Sequence, residues 1–222
     1  LEKIEKKTLR QVVYEKIKDS IMSAELAPGQ GVSIRNLANT LGVSTMPVRE
    51  ALWQMESEGI VVIASNRSIH VNELTADELV DITDIRIALE TMAAEKACDR
   101  RPDAALVSLG KLIEEMQSCS GDHALYMKKN RLFHFGIYSL SGSETLVKLI
   151  NSLWGRIAPY FSIHILDTDH VRKINTPCHE RMLAALNNQD KVTMRSALIE
   201  EFISTRDRAL IHQQGKSTQY VV

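Results

Sequence analysis

A mostly α-helical protein in two parts is predicted: three helices closed by a small β-hairpin over residues 1–73, then an all-α bundle of six-helix type over residues 74–222. Three observations carry this reading. The length of 222 residues exceeds the usual single domain and suits two modest ones. Before Glu73, helical apolar spacing is punctuated by Pro, Gly and Ser and ends in two short β-branched runs. Past Leu74 the spacing stays helical, and no convincing strand occurs.

From Thr8 to Glu25, Leu9, Val13, Ile17 and Ile21 recur every four residues and leave Lys16, Lys18 and Asp19 on the other side, so this is a first helix. Pro28-Gly29 breaks the chain. Ser33 then caps a second helix, with Val32 and Leu37 as a hydrophobic staple, and Gly42 ends it. Ser44 caps a third helix, whose Pro47 falls in the first turn, where its missing N–H is harmless. Val48, Leu52 and Met55 form the buried face of that helix, so Thr45, Met46 and Arg49 project the other way. Gly59 stops it. Ile60 to Ile63 and Ile69 to Val71 pair as a hairpin around Ala64 to Ser68. Helix, short Gly-containing turn, helix and hairpin is the winged helix-turn-helix layout that offers one helix to the major groove.

Leu74 to Ala76 reads as a short linker, and Thr75 and Glu78 as a capping box opening a long helix. Its core face is expected to carry Leu79, Ile82, Ile85, Leu89 and Met92 or Ala93. Five further helices are expected at Asp103–Cys119, Asp122–Leu140, Glu144–Ile165, His170–Asn187 and Lys191–Ile211. Breaks separate them at Arg101-Pro102, Gly121, Ser141-Gly142 and Asn187-Asn188, and the tail from Gln213 is expected to be loose.

Composition narrows the class. No apolar run reaches 18 residues and the first ten are rich in charge rather than signal-like, so a soluble, unexported, cytoplasmic protein with no membrane partner is expected. Cys98, Cys119 and Cys178 are odd in number and lack C-x-x-C spacing, which suits free thiols in a reducing compartment. The net charge of −1 hides an uneven distribution. Leu26 to Arg49 and Gly59 to Asn72 contain no acid, yet hold Arg35, Arg49 and Arg67, as a surface meeting phosphates requires.

Ser33 to Ile63 resembles the DNA-binding domain of the GntR family. The residues carrying the likeness are Pro28-Gly29, Leu37-Ala38, Leu41-Gly42-Val43-Ser44, Pro47-Val48-Arg49-Glu50-Ala51-Leu52 and Glu58-Gly59. The resemblance implies that Arg35 meets the phosphate backbone, that Arg49 reaches bases or phosphates, and that Asn66 and Arg67 at the wing tip enter the minor groove. Ser44, Thr45 and Met46 complete the expected DNA-facing set. Thr45 and Met46 depart from the arginine or glutamine common after this serine, and Ser68 replaces a wing glycine. Met46 either touches a thymine methyl or simply packs.

The second part resembles the FCD effector domain of the FadR subfamily. The likeness rests on Arg86 to Glu90, Asn130-Arg131-Leu132-Phe133-His134, His179-x-x-Met-x-x-Ala-Leu and Asp190. Many such domains hold a divalent metal through Asp, His, His and His. Carried over, these positions are Asn130, His134, His179 and Glu201, which keep a single negative charge. Two readings stay open: one zinc, nickel or manganese ion at this set, or an organic-ligand cavity that the histidines merely line. The resemblance further implies a small carboxylate effector. Arg86, Arg156 and Tyr160 are its candidate partners, with surface salt bridges or packing as their alternative roles. His123, His164, His170 and His212 lack diagnostic spacing.

A ligand-responsive regulator, most simply a repressor, binding a palindromic double-stranded operator as a homodimer is the function expected, with no enzymatic activity. One alternative is a DNA-binding protein whose bundle only dimerises. Another is a metal-dependent hydrolase. Gly215-Lys216-Ser217 imitates the end of a phosphate loop, but Leu210 stands where the earlier glycine belongs.

Overall fold

A computed structural model describes residues 8–100, 103–119, 122–164 and 168–219, with side chains except at 161–174 and 214–219. The chain divides into two compact units, Leu1–Glu73 and Leu74–Val222. Among the described residues there are nine helices and a three-stranded sheet. The expected breaks at Arg101-Pro102 and Gly121 lie outside the described residues, as do the side chains of His164 and His170.

The first unit starts with α1 (Leu9–Met22), opened by a capping box in which Thr8 and Gln11 satisfy each other's backbone N–H groups. It stops three residues earlier than the sequence suggests, because Ala24 turns with φ of 59°. Strand β1 (Gly31–Val32) follows, then α2 (Ile34–Leu41), α3 (Thr45–Ser57), β2 (Val61–Ile63) and β3 (Ile69–Val71). Strand order is β1-β3-β2, all antiparallel, with Val61 opposite Val71 and Val32 opposite Ile69. Strand β1 is absent from the sequence reading. At two residues it is too short to show periodicity, and only β3 supplies its hydrogen bonds.

Val13, Ile17 and Ile21 of α1 meet Val48, Ala51, Leu52 and Met55 of α3 in one core closed by Ile60, Val61, Ile69 and Val71 of the sheet. Burying a side chain such as Leu52 contributes about 1.5–3 kcal/mol. Ser33 caps α2 as expected, accepting from the Asn36 N–H. Gly42 ends α2 in the left-handed conformation at φ of 65°, which suits a residue without Cβ. Ser44 stands at the N-cap of α3 but its side chain makes no capping hydrogen bond, contrary to expectation.

The second unit holds α4 (Ala76–Arg100), α5 (Asp103–Ser118), α6 (His123–Ser139), α7 (Glu144–His164), α8 (Thr168–Asn188) and α9 (Lys191–Gln219). Thr75 and Glu78 form the expected capping box. Helix α4 packs along α9, α8 also lies on α9, and α5 joins α6 to α8. Ala93, Ala94 and Ala97 on α4, with Ala197 on α9, keep small side chains in this core.

The buried face of α4 keeps Leu79, Ile82 and Ala93 of the apolar stripe expected but not all of it. Ile85 and Met92 are exposed, whereas Arg86, Glu90, Thr83 and Thr91 are buried. Arg86 and Glu90 take inward positions beside Leu79, Ile82 and Ala93 through a polar network with Trp154. The tail is not loose: α9 continues to Gln219, and the Gln213 side chain donates to the Leu74 carbonyl at 3.0 Å. Gly215 to Ser217 therefore lie in a helix, where no phosphate loop forms.

Candidate functional site

Two regions carry chemistry. In the first unit, Arg35 on α2 and Thr45, Met46 and Arg49 at the start of α3 are exposed, as is Ser44 just before them. Met46 is 60% exposed and Trp53, one turn beyond Arg49, is 54% exposed, so neither belongs to the core. Trp53 was not singled out from the sequence, although its spacing from Arg49 places both on one helical face. Asn66 and Arg67 are exposed in the β2–β3 turn. Arg67 holds the left-handed position there with φ of 64°, and the Asn66 carbonyl accepts from the Ser68 N–H at 3.0 Å and its hydroxyl at 2.7 Å. An Asx-type turn thus replaces the wing glycine.

Inside the second unit lies a buried cluster. His134 on α6, His179 on α8 and Glu201 on α9 bring their ligating atoms within 4.8 Å of one another. Glu201 Oε1 is 3.3 Å from His134 Nε2 and 3.1 Å from His179 Nε2. The sequence separations make this possible on three helices: α8 and α9 are antiparallel neighbours joined by a short turn, so residues 179 and 201 return to one level. Burial pushes the Glu201 carboxyl upward, but His134 and His179 together outweigh it and hold the group well below the usual carboxylate range.

Behind His134 stands a second layer. His134 Nδ1 is 3.1 Å from the Tyr138 hydroxyl. Burial, and next the Glu90 charge, raise the Tyr138 pKa well above the ordinary phenol value and keep the proton on. Glu90 accepts from Arg86 Nε at 2.6 Å and from Trp154 Nε1 at 3.1 and 3.0 Å. The Arg86 guanidinium lies 4.9 Å from the Trp154 ring and 4.3 Å from that of Phe202. An ionised Glu201 can only accept, so in this arrangement both Nε2 atoms carry protons. Metal binding needs their lone pairs instead. His134 then places its proton on Nδ1 and donates it to Tyr138.

Arg86, Asn130, His134 and Glu201 line one cavity of about 20 Å³, together with Asn175, Trp154 and Thr205. Asn130 Oδ1 and Glu201 Oε2 are buried without hydrogen-bond partners. Two imidazoles, one carboxylate and an amide oxygen with unsatisfied acceptors are a chemically suitable donor set for a divalent ion. Burial and then Glu201 push the Cys178 thiol up to about 12, which makes it a poor ligand. Cys98, Cys119 and Cys178 are all buried, and none forms a disulfide among the described residues. Of the expected effector partners, Arg86 reaches the cavity but Arg156 and Tyr160 are not in its lining. The Tyr160 hydroxyl accepts instead from the Leu74 N–H, which fixes the start of α4.

Residues 9–71 match the bacterial regulatory proteins of the gntR family, and residues 81–202 match the FCD domain. The chain belongs to the GntR family. It is 31% identical over 206 residues to the HTH-type transcriptional regulator McbR of Escherichia coli K12, covering 91% of this chain and 92% of that one. The solved structure of E. coli McbR/YncC superposes with a TM-score of 0.85 at 30% identity, over 94% of this chain and 99% of the other. The HTH-type transcriptional repressor GlaR of the same organism is 23% identical, with 80% of this chain and 84% of GlaR covered.

This GntR-family chain is thus a transcription regulator and not an enzyme. Regulators of this kind bind DNA through the helix-turn-helix unit and small-molecule effectors through the FCD domain. Among the described residues, no helix is long and apolar enough to cross a membrane.

Proposed function

We propose that the chain is a ligand-responsive repressor that binds a palindromic operator as a homodimer. Residues 1–73 grip DNA, and residues 74–222 sense and dimerise. The observation carrying the sensor reading is the enclosed polar site of His134, His179, Glu201, Asn130 and Arg86 in the helical unit. A bundle that only dimerised would have no use for buried acceptors that lack partners, since each is unfavourable. The repressor sign follows the similarity to GlaR, whose name records that role.

In this reading Arg35 and Arg49 meet phosphates and base edges, Ser44, Thr45 and Met46 lie along the groove, and Asn66 and Arg67 reach the minor groove. One divalent ion, zinc, nickel or manganese, sits among Asn130, His134, His179 and Glu201 and supplies positive charge to the cavity. A small organic acid binds beside it, with Arg86 as a further cation. The cavity of about 20 Å³ has room for little more than a water. An acid therefore enters only with movement of the helices lining it, and such a difference between two states is what coupling to DNA requires. Typical couplings are about 1–3 kcal/mol, or roughly 5- to 150-fold in affinity.

A calorimetric titration of short-chain mono-, di- and tricarboxylic acids into the protein, with and without operator DNA, tests this reading. At least one acid binds with different affinity in the two arms. Equal affinities, or no binding by any acid, refute the sensor function. Elemental analysis after incubation with zinc, nickel and manganese tests the ion: wild type retains one, and His134→Ala, His179→Ala and Glu201→Ala each lose it.

A further inference from the structure

We propose that Asn175 is a fifth donor to the ion held by Asn130, His134, His179 and Glu201, and that the centre is six-coordinate with two nitrogen and three oxygen donors from the protein. This rests on the metal reading above and adds to it a residue and a coordination number. Asn175 stands four residues before His179 on α8, just as Asn130 stands four before His134 on α6. That spacing puts each amide on the same helical face as its histidine. Two Asn-x-x-x-His pairs, from two helices, therefore flank the Glu201 carboxylate of α9.

Asn130 and Asn175 are 6% and 5% exposed, and both line the cavity that Glu201 also lines. Asn130 Oδ1, Asn175 Oδ1 and Glu201 Oε2 are each buried without a hydrogen-bond partner. A single water in that space donates only two hydrogens, so it cannot by itself satisfy the three acceptors, and Arg86, which shares the lining, is already held by Glu90. A divalent ion contacts all three at once, and its charge offsets the carboxylate.

The donor types choose among ions. Amide and carboxylate oxygens are hard donors, and five protein ligands exceed what tetrahedral zinc takes in its usual sites. An octahedral ion such as manganese accepts the set and keeps its sixth position for water or for an oxygen of the effector acid. The four-position family pattern does not include Asn175. The structure assigns it through burial, spacing and an unpartnered oxygen together.

The test uses the full chain, stripped with chelator and titrated with Mn²⁺, the free ion being read by electron paramagnetic resonance. Wild type takes up one ion. Asn175→Ala weakens uptake at least about tenfold, and Asn175→Asp, which adds a charge, strengthens it. With Co²⁺ in place of manganese, wild type gives the weak visible absorption of a six-coordinate ion, and Asn175→Ala intensifies it as coordination falls.

If Asn175→Ala binds Mn²⁺ as wild type does while His179→Ala loses it, Asn175 is no donor and the metal reading stands without it. Wild type that takes up no divalent ion removes both. Should circular dichroism show Asn175→Ala unfolded, Asn175→Asp decides: unchanged or weaker binding overturns the assignment.

Discussion

Replacing Arg86 by methionine tests whether the polar network behind the site is structural. Arg86 and Glu90 are 1% and 0% exposed, with Nε to Oε1 at 2.6 Å. Methionine retains much of the apolar stem between Trp154 and Phe202 but leaves the buried Glu90 charge without its cation, with only neutral donors such as Trp154 Nε1 and the Tyr138 hydroxyl beside it. Removing one partner of a buried ion pair costs about 3–5 kcal/mol. For a chain of this size about 1 kcal/mol corresponds to about 2–4 °C, so the melting temperature falls by roughly 6–20 °C. Glu90→Gln alone removes the charge paired with the guanidinium and is also destabilising. The double variant Arg86→Met/Glu90→Gln keeps an acceptor for Trp154 and is less destabilised than the sum of the singles. Thermal unfolding of all four proteins by circular dichroism measures the cycle. A single Arg86→Met variant that melts within a degree or two of wild type, or strictly additive effects, refutes the network. A positive result means that any effector carboxylate shares Arg86 with Glu90.

Three other outcomes follow from the same geometry. Arg49→Ala, at an exposed position of α3, leaves the melting temperature unchanged and weakens operator binding by about 1–3 kcal/mol, read by gel-shift titration. Tyr138→Phe removes the partner of His134 Nδ1 and weakens divalent-ion affinity about 10- to 100-fold, with partial rescue by Tyr138→His; calorimetry measures both. Because the folded Glu201 carboxyl lies below its ordinary value of 4.5, its ion pairing stabilises the fold above that pH and fades as pH falls below it. The stability gap between metal-free wild type and Glu201→Gln is therefore constant above about pH 4.5 and narrows as pH falls below it. A gap that stays the same below pH 4.5 would show that the Glu201 charge is not paired in the fold.

Helix positions were largely legible because local rules decide them. Ser33, Gly42 and the Thr75–Glu78 box are short-range devices whose partners lie within four residues. Strand β1 was not legible, since its hydrogen bonds come from β3 some forty residues away. The buried face of α4 was only partly legible for a related reason. Hydrophobic spacing puts Leu79, Ile82, Ile85, Leu89 and Met92 or Ala93 inward. Leu79, Ile82 and Ala93 are buried, but Ile85 and Met92 are exposed, and Arg86 and Glu90 turn inward to Trp154 on α7 and Phe202 on α9.

By itself, the sequence determined the helix-turn-helix motif, and its resemblance to the FCD domain implied the four positions proposed to hold an ion. The motif depends on spacing and turn residues within short segments, whereas the four positions span three helices and come from the resemblance. Tertiary structure alone decided that Glu201 lies between both imidazoles, that Tyr138 and Glu90 stand behind His134, and that Asn175 enters the same cavity. Each of those facts is a meeting of side chains from different helices. Its physical cause is the packing of α4, α6, α8 and α9 around one core, which no single helix encodes.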